Sequence, residues 1–204
     1  MRGDRARLDP ATRAVSFPGM LTVKHRPLTV HDYMQLPEDS GKKSELIEGD
    51  LFMSPSPTRF HQDILGRLFG PIWAHLQVNP IGKVYTSPFD VTLTDLNVYQ
   101  PDLCFFSKSR YTSLTDHGAD GAPDLVVEIL SPGSAKHDLG VKKEIYTRTG
   151  VEEFWCVDPV KRTITVFQLS DSSTTPRATL GVGKTLTTPL LPGLKIKVRD
   201  VFAD

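Results

Sequence analysis

The segment Leu125-Val126-Val127-Glu128-Ile129-Leu130 constrains this chain more than any other. Successive residues of a β-strand point to opposite faces, and here both faces are apolar. Such a run belongs to a central strand covered above and below, which calls for an α/β layered core around it. Glu128, the one charged residue in the run, then loses its water. A carboxylate placed there is costly unless it meets a cation. The bland alternative is a strand-end glutamate that faces solvent or pairs with a lysine.

The flanking segments supply the other layers. Thr29 caps a short helix through His31-Asp32-Tyr33-Met34, which stops before Pro37. Residues 44–53 read as two short strands about a turn at Gly49-Asp50. Across 60–77, Phe60, Ile64, Leu65, Leu68, Phe69, Ile72, Trp73 and Leu76 recur at spacings of three and four, which predicts a helix with one apolar stripe. Pro71 is expected to kink it. Residues 83–93 read as a broadly extended segment and 98–107 as a strand, separated by the turn Asp95-Leu96-Asn97, and a loop with Asp116, His117, Gly118, Asp120 and Gly121 follows. A helix over 138–149 closes at Gly150. A strand pair, 153–157 and 163–169, flanks Asp158-Pro159; a polar loop covers 171–183, and a last strand covers 194–198. The expected architecture is α/β, a central mixed β-sheet flanked by α-helices.

Composition narrows the function classes. The chain has 204 residues, 39% of them apolar and 24% charged. That is enough for one domain with a sizeable core, and it is unlike a disordered chain. No stretch approaches the ~20 apolar residues of a membrane-spanning helix, and the N-terminus lacks the apolar region of a secretory signal. Cys104 and Cys156 do not make a disulfide framework; each sits in an apolar run and reads as a buried thiol, in keeping with a reducing cytoplasm. Lys and Arg balance Asp and Glu, 24 against 24, so a general polyanion coat is excluded. Contact with nucleic acid must come from a local cluster, or from a metal ion that bridges to phosphate. The segment 1–26 differs from the rest: Arg2, Arg5, Arg7, Arg13, Lys24 and Arg26 face only Asp4 and Asp9. It reads as a flexible basic extension ahead of a single domain over 27–204.

Four side chains stand out. Asp102 follows Pro101 within an extended segment, and Glu128 lies in the central strand. On a helix, Lys142 shares a face with Leu139 and Tyr146, the face that should pack on the sheet, so its ammonium is aimed inward or along a rim. A surface ion pair with Asp138 is the plain alternative. Glu45 lies in the first strand pair, where alternation turns one of Glu45 and Glu48 toward whatever the sheet covers. Carboxylates gathered at one point repel, and a hard divalent cation such as Mg or Mn resolves this through oxygen ligation. Such an ion lowers the pKa of a bound water and polarises phosphoryl oxygens, while a nearby lysine orients water or stabilises developing charge. This chemistry suits phosphodiester hydrolysis.

A resemblance sharpens the reading. Glu45-Leu46-Ile47-Glu48-Gly49, His61-Gln62, Ser87-Pro88-Phe89-Asp90-Val91 and Gln100-Pro101-Asp102-Leu103 carry part of it. The most specific stretch follows, with Ala122-Pro123-Asp124, the strand through Ser131-Pro132, Asp138-Leu139-Gly140-Val141-Lys142, Tyr146, Gly150-Val151-Glu152-Glu153-Phe154-Trp155 and Val157-Asp158-Pro159. The whole resembles the Uma-type restriction endonuclease family of the PD-(D/E)XK nuclease superfamily, over roughly 28–202. The resemblance implies a restriction-endonuclease-like core. It makes Asp102 and Glu128 the metal-holding acids and Glu45 an added acid from the N-terminal part of the fold. The superfamily's lysine sits two residues after the second acid, but here that position is Leu130, so Lys142 is inferred to supply the ammonium. His61 also matches, although a helix-face histidine is more often structural. The implied activity is Mg-dependent (or Mn-dependent) DNA endonuclease chemistry by Glu45, Asp102, Glu128 and Lys142. The simplest assembly for cutting two strands is a homodimer. A nuclease-like fold that binds nucleic acid or a protein without cutting, and a hydrolase of smaller phosphate esters, are the rival readings.

Overall fold

The computed structural model describes residues 13–15, 23–36, 43–131, 138–170 and 175–203. Of the expected basic extension, residues 1–12 and 16–22 lie outside the described residues. Strands β1 (Arg13–Val15) and β2 (Val23–His25) pair antiparallel within it. Helix α1 (Val30–Met34) begins at a capping box: the Asp32 N–H donates to Thr29 Oγ1, and the Asp32 carboxylate accepts from the Thr29 N–H. Strands β3 (Lys43–Ile47) and β4 (Asp50–Ser54) form the expected hairpin, with its turn at Glu48-Gly49. Both turn residues have positive φ, 52° and 81°. This is the backbone twist that two-residue hairpin turns favour. A Cβ on Gly49 would lie 2.4 Å from Pro27 Cβ, so the position has no room for a side chain.

Helix α2 (Arg59–Val78) is capped by Thr58 and buries Ile64, Leu65, Leu68, Ile72 and Leu76. Trp73, expected on the same stripe, stays 50% exposed at its margin. Pro71 lies within the helix, which runs unbroken through it.

The two extended segments of the sequence each divide. Residues 83–93 split at Ser87-Pro88 into β5 (Gly82–Thr86) and β6 (Asp90–Thr94). Residues 98–107 split at Gln100-Pro101-Asp102 into β7 (Asn97–Tyr99) and β8 (Leu103–Ser107). Proline has no N–H to give a ladder, so each proline ends a strand and lets the next one join a different sheet. Asp102 therefore sits just before a strand, not inside one.

Beyond them come β9 (Gly118–Asp120), in a segment read as loop, and β10 (Leu125–Ile129). A π-helical turn, Asp138–Lys142, runs into α3 (Lys143–Thr149), and Gly150 closes it in the left-handed conformation at φ 91°. The C-terminal part contributes β11 (Glu153–Asp158), β12 (Thr163–Gln168), β13 (Ala178–Gly181), β14 (Thr185–Leu186), β15 (Ile196–Lys197) and α4 (Val198–Val201). Part of the expected polar loop is thus strand, since β13 pairs with β12. The last expected strand shortens to two residues before α4.

The central sheet has the order β13-β12-β11-β10-β8-β5, with β10 and β11 parallel and the remaining pairs antiparallel. A second mixed sheet has the order β4-β3-β7-β6-β9. Strand β10 is covered on both faces, as its sequence requires. Leu125, Val127 and Ile129 pack with Ile64, Leu68 and Ile72 of α2, while Val126 packs with Tyr99, Ile145, Tyr146 and Phe154 on the opposite side. Cys104 and Cys156 are free and buried, and burial raises the Cys104 thiol pKa. No helix among the described residues is long and apolar enough to cross a membrane.

Leu68 is fully enclosed between α2 and the central sheet. Leu68→Ala should therefore cost about 2–5 kcal/mol. Val78, by contrast, is 77% exposed. Val78→Ala should change stability by less than about 0.5 kcal/mol. Denaturant unfolding of the two variants beside the parent checks both values.

Candidate active site

Strand alternation fixes the direction of Glu128. It points away from α2, on the side of Val126, toward α3 and the second sheet. There its Oε1 accepts from Lys142 Nζ at 3.0 Å and from Tyr146 Oη at 2.8 Å. Lys142 and Tyr146 are four residues apart, which brings both over one oxygen. Lys142 Nζ also lies 2.8 Å from Glu45 Oε1 and 5.4 Å from the centre of the Tyr99 ring. The amine is thus held by two carboxylates and an aromatic face.

Glu45 reaches this point from β3, and the Gln100 N–H donates to its Oε1 at 2.8 Å. Gln100 heads the short passage from β7 to β8, and Asp102 ends it. Strand β8 pairs with β10 only as far as Leu103, opposite Val127. Past that end the Asp102 side chain replaces the ladder: the Ile129 N–H donates to Asp102 Oδ2 at 2.7 Å. His61, in the first turn of α2, places Nε2 3.2 Å from the same oxygen.

All four expected side chains therefore converge, and His61 joins them. A sixth group, outside the sequence reading, completes the cluster. Lys43 Nζ lies 3.6 Å from Asp102 Oδ1, 3.8 Å from Glu45 Oε1 and 3.9 Å from Glu128 Oε2. The signal is present in the sequence: Lys43 and Glu45 are two apart on a strand and so share a face. Among the described residues, no group of His, Cys, Asp and Glu side chains is drawn tightly enough to hold a metal ion as it stands. The acids are instead spaced by ammonium groups.

The electrostatics follow the geometry. Burial would raise the Asp102 carboxyl, but the His61 hydrogen bond, the Lys43 charge and the Ile129 N–H bring it from 3.8 to about 2. Burial likewise acts against the Glu45 anion, and the Lys142 and Lys43 charges outweigh it, so its pKa falls. Burial acts against the Lys43 ammonium too, yet the Glu128 and Glu45 charges raise its pKa. Among the described residues, three carboxylates face two ammonium groups in this cluster. Hard oxygen donors in that number suit Mg or Mn. The Lys43 ammonium, a cation among all three acids, shows where positive charge is accommodated.

The α/β core, with its central mixed sheet and α2 packed on one face, is the expected restriction-endonuclease-like fold. The Uma2 family, described as "Putative restriction endonuclease", matches residues 30–199, and the chain belongs to that family. Its function is accordingly of the nuclease type. Among solved structures, the chain is similar to "a putative nuclease belonging to DUF820" from Anabaena variabilis, with a TM-score of 0.71. The two are 23% identical, and the match covers 86% of this chain and 98% of the other, a shared fold over nearly the whole length. No curated protein matches.

A depressed carboxyl stabilises the fold above its unfolded pKa and loses that contribution as pH falls through its folded pKa. For Asp102 the window runs from about pH 4 down to about pH 2. Thermal unfolding of the parent and Asp102→Asn across pH 7 to 2 should show the parent more stable at neutral pH and the gap narrowing below about pH 4.

Proposed function

We propose that this protein is a metal-dependent DNA endonuclease that hydrolyses phosphodiester bonds with water. One observation carries the reading: Glu45, Asp102 and Glu128, from three separate parts of the chain, meet around ammonium groups in a buried position. Stability alone gives no reason to gather three acids there, since well-packed apolar side chains would serve as well.

Asp102 and Glu128 would hold Mg or Mn, with Glu45 at the edge. When bound, such an ion polarises a phosphoryl oxygen and lowers the pKa of a water. The chain's own groups do the rest. The Ile129 N–H and His61 fix one oxygen of Asp102 and leave the other turned inward. Tyr146 and Lys142 do the same for Glu128. Lys142 also keeps Glu45 ionised, so that a carboxylate is ready beside the attacked phosphate to accept a proton from water. An ammonium at this spot stabilises charge that grows on the phosphoryl oxygens.

The test is plasmid cleavage with Mg or Mn. Glu128→Gln and Lys142→Gln, checked for folding by circular dichroism, should cleave at least about a hundredfold more slowly than the parent. Tyr146→Phe, which loses only a hydrogen bond to Glu128, should fall by about 10–100-fold. Equal cleavage by all four proteins would remove the mechanism. Binding of DNA without cleavage by any of them would favour a non-cutting nucleic-acid-binding role.

A further inference from the structure

Lys43 has no part in that scheme, yet it is the group the three acids surround. Each acid has an oxygen fastened by donors: Asp102 Oδ2 by the Ile129 N–H and His61, Glu128 Oε1 by Lys142 and Tyr146, and Glu45 Oε1 by the Gln100 N–H and Lys142. Asp102 Oδ1 and Glu128 Oε2 are turned to Lys43. Its three contacts fall at 3.6, 3.8 and 3.9 Å. All are longer than a formed hydrogen bond, so charge holds the ammonium in place without fixed bonds.

The two lysines differ in another respect. The Lys142 side chain is 2% exposed and bonded at 2.8 and 3.0 Å, whereas that of Lys43 is 21% exposed. Lys142 is locked in. Lys43 lies at the open side, on a flexible four-carbon stem. Mg needs oxygens at about 2.0–2.1 Å, closer than they stand around the ammonium. A dication and an ammonium cannot share the inside of that ring, because at such separations their repulsion exceeds anything the stem could resist.

We propose that Lys43 is an exchangeable internal cation: its ammonium occupies the metal position in the metal-free protein and swings out toward solvent when a divalent ion enters. This rests on the metal-dependent reading above. In the metal-free chain the acids keep a counter-charge and the fold does not carry them unpaired. The same ammonium makes metal entry a competition, and the apparent affinity falls by the fraction of molecules in which the position is open.

Two measurements test the proposal. In the first, the wild-type protein is acylated with an N-hydroxysuccinimide ester, with and without Mn, and read by peptide mass spectrometry. Labelling of Lys43 should rise several-fold on Mn addition while Lys142 stays protected. In the second, calorimetry compares Mn binding by the parent and by Lys43→Met, which keeps the stem and loses the charge. The variant should bind about tenfold more tightly, as expected if the position is open in about a tenth of parent molecules. Unchanged or reduced Lys43 labelling in protein that binds Mn overturns the proposal, even if Lys43→Met binds more tightly, because the lysine is then a screening charge that stays in place. Equal or weaker binding by Lys43→Met overturns it as well. If neither protein takes up Mn, the metal-dependent reading fails and the exchange falls with it, an outcome distinct from Mn binding without Lys43 release.

Discussion

The structure depends on holding three carboxylates ionised inside a protein. Each would lose several kcal/mol of hydration without a partner, and close to one another they would also repel. The fold answers with donors that differ in kind. Backbone N–H groups of Gln100 and Ile129 come from sheet regions whose own ladders have ended, so they cost nothing in secondary structure. Lys142 and Tyr146 come from one helical face, and Lys43 comes from the strand that also carries Glu45. Glu45 and Asp102 thereby stay charged at neutral pH, the state that cation chemistry needs.

This arrangement explains why the chain is broken where it is. A continuous strand from β7 into β8 would leave Gln100 and Asp102 paired in a ladder. Pro101 prevents that. The break sends β7 to one sheet and β8 to the other, and the three residues between them deliver a backbone N–H to Glu45 and a carboxylate to Ile129. Asp102 thus has two functions that cannot be separated: it finishes the edge of the central strand's ladder, and it turns its second oxygen into the acid cluster. The start of α2 closes the other side, where the Thr58 cap sets the first turn and His61 stands against Asp102.

Much of this was legible in the sequence, and the part that was not has a common cause. Strand β10 announced itself because its apolar residues leave no face for solvent, and Glu128 stood out against them. Helix α2 was plain from its helical period. The failures came where tertiary pairing overrode local pattern. Residues 83–93 and 98–107 are extended throughout, so nothing in their alternation says that each serves two sheets; only Pro88 and Pro101 mark the divisions, and a proline can equally sit at a strand edge. Strand β13 lies in a polar stretch and exists because β12 offers it an edge. Trp73 fitted the apolar stripe yet lies at its margin, since period alone does not fix where a sheet ends. Lys43 was missed for a related reason. A charged residue at the start of a strand looks solvated until the facing acids are known, and those acids come from residues 102 and 128.

The displaced lysine shows how firmly geometry, more than motif spacing, governs such a site. Two residues after Glu128 the strand returns to the same face, and a lysine there would reach the acids directly. Leu130 occupies that position and packs with the cluster around Tyr146 and Phe154. The ammonium must then arrive from another element. The π-helical turn ahead of α3 brings Lys142 over Glu128 from above the sheet, where it is enclosed by Glu45, Glu128 and the Tyr99 ring. An amine delivered this way is more deeply buried and more rigid than one extended from the strand. It stays in place between Glu45 and Glu128 and presents a fixed positive charge there. That division of labour leaves the other side of the cluster to a second, looser cation, and Lys43 on its partly exposed stem is the group the fold has put there.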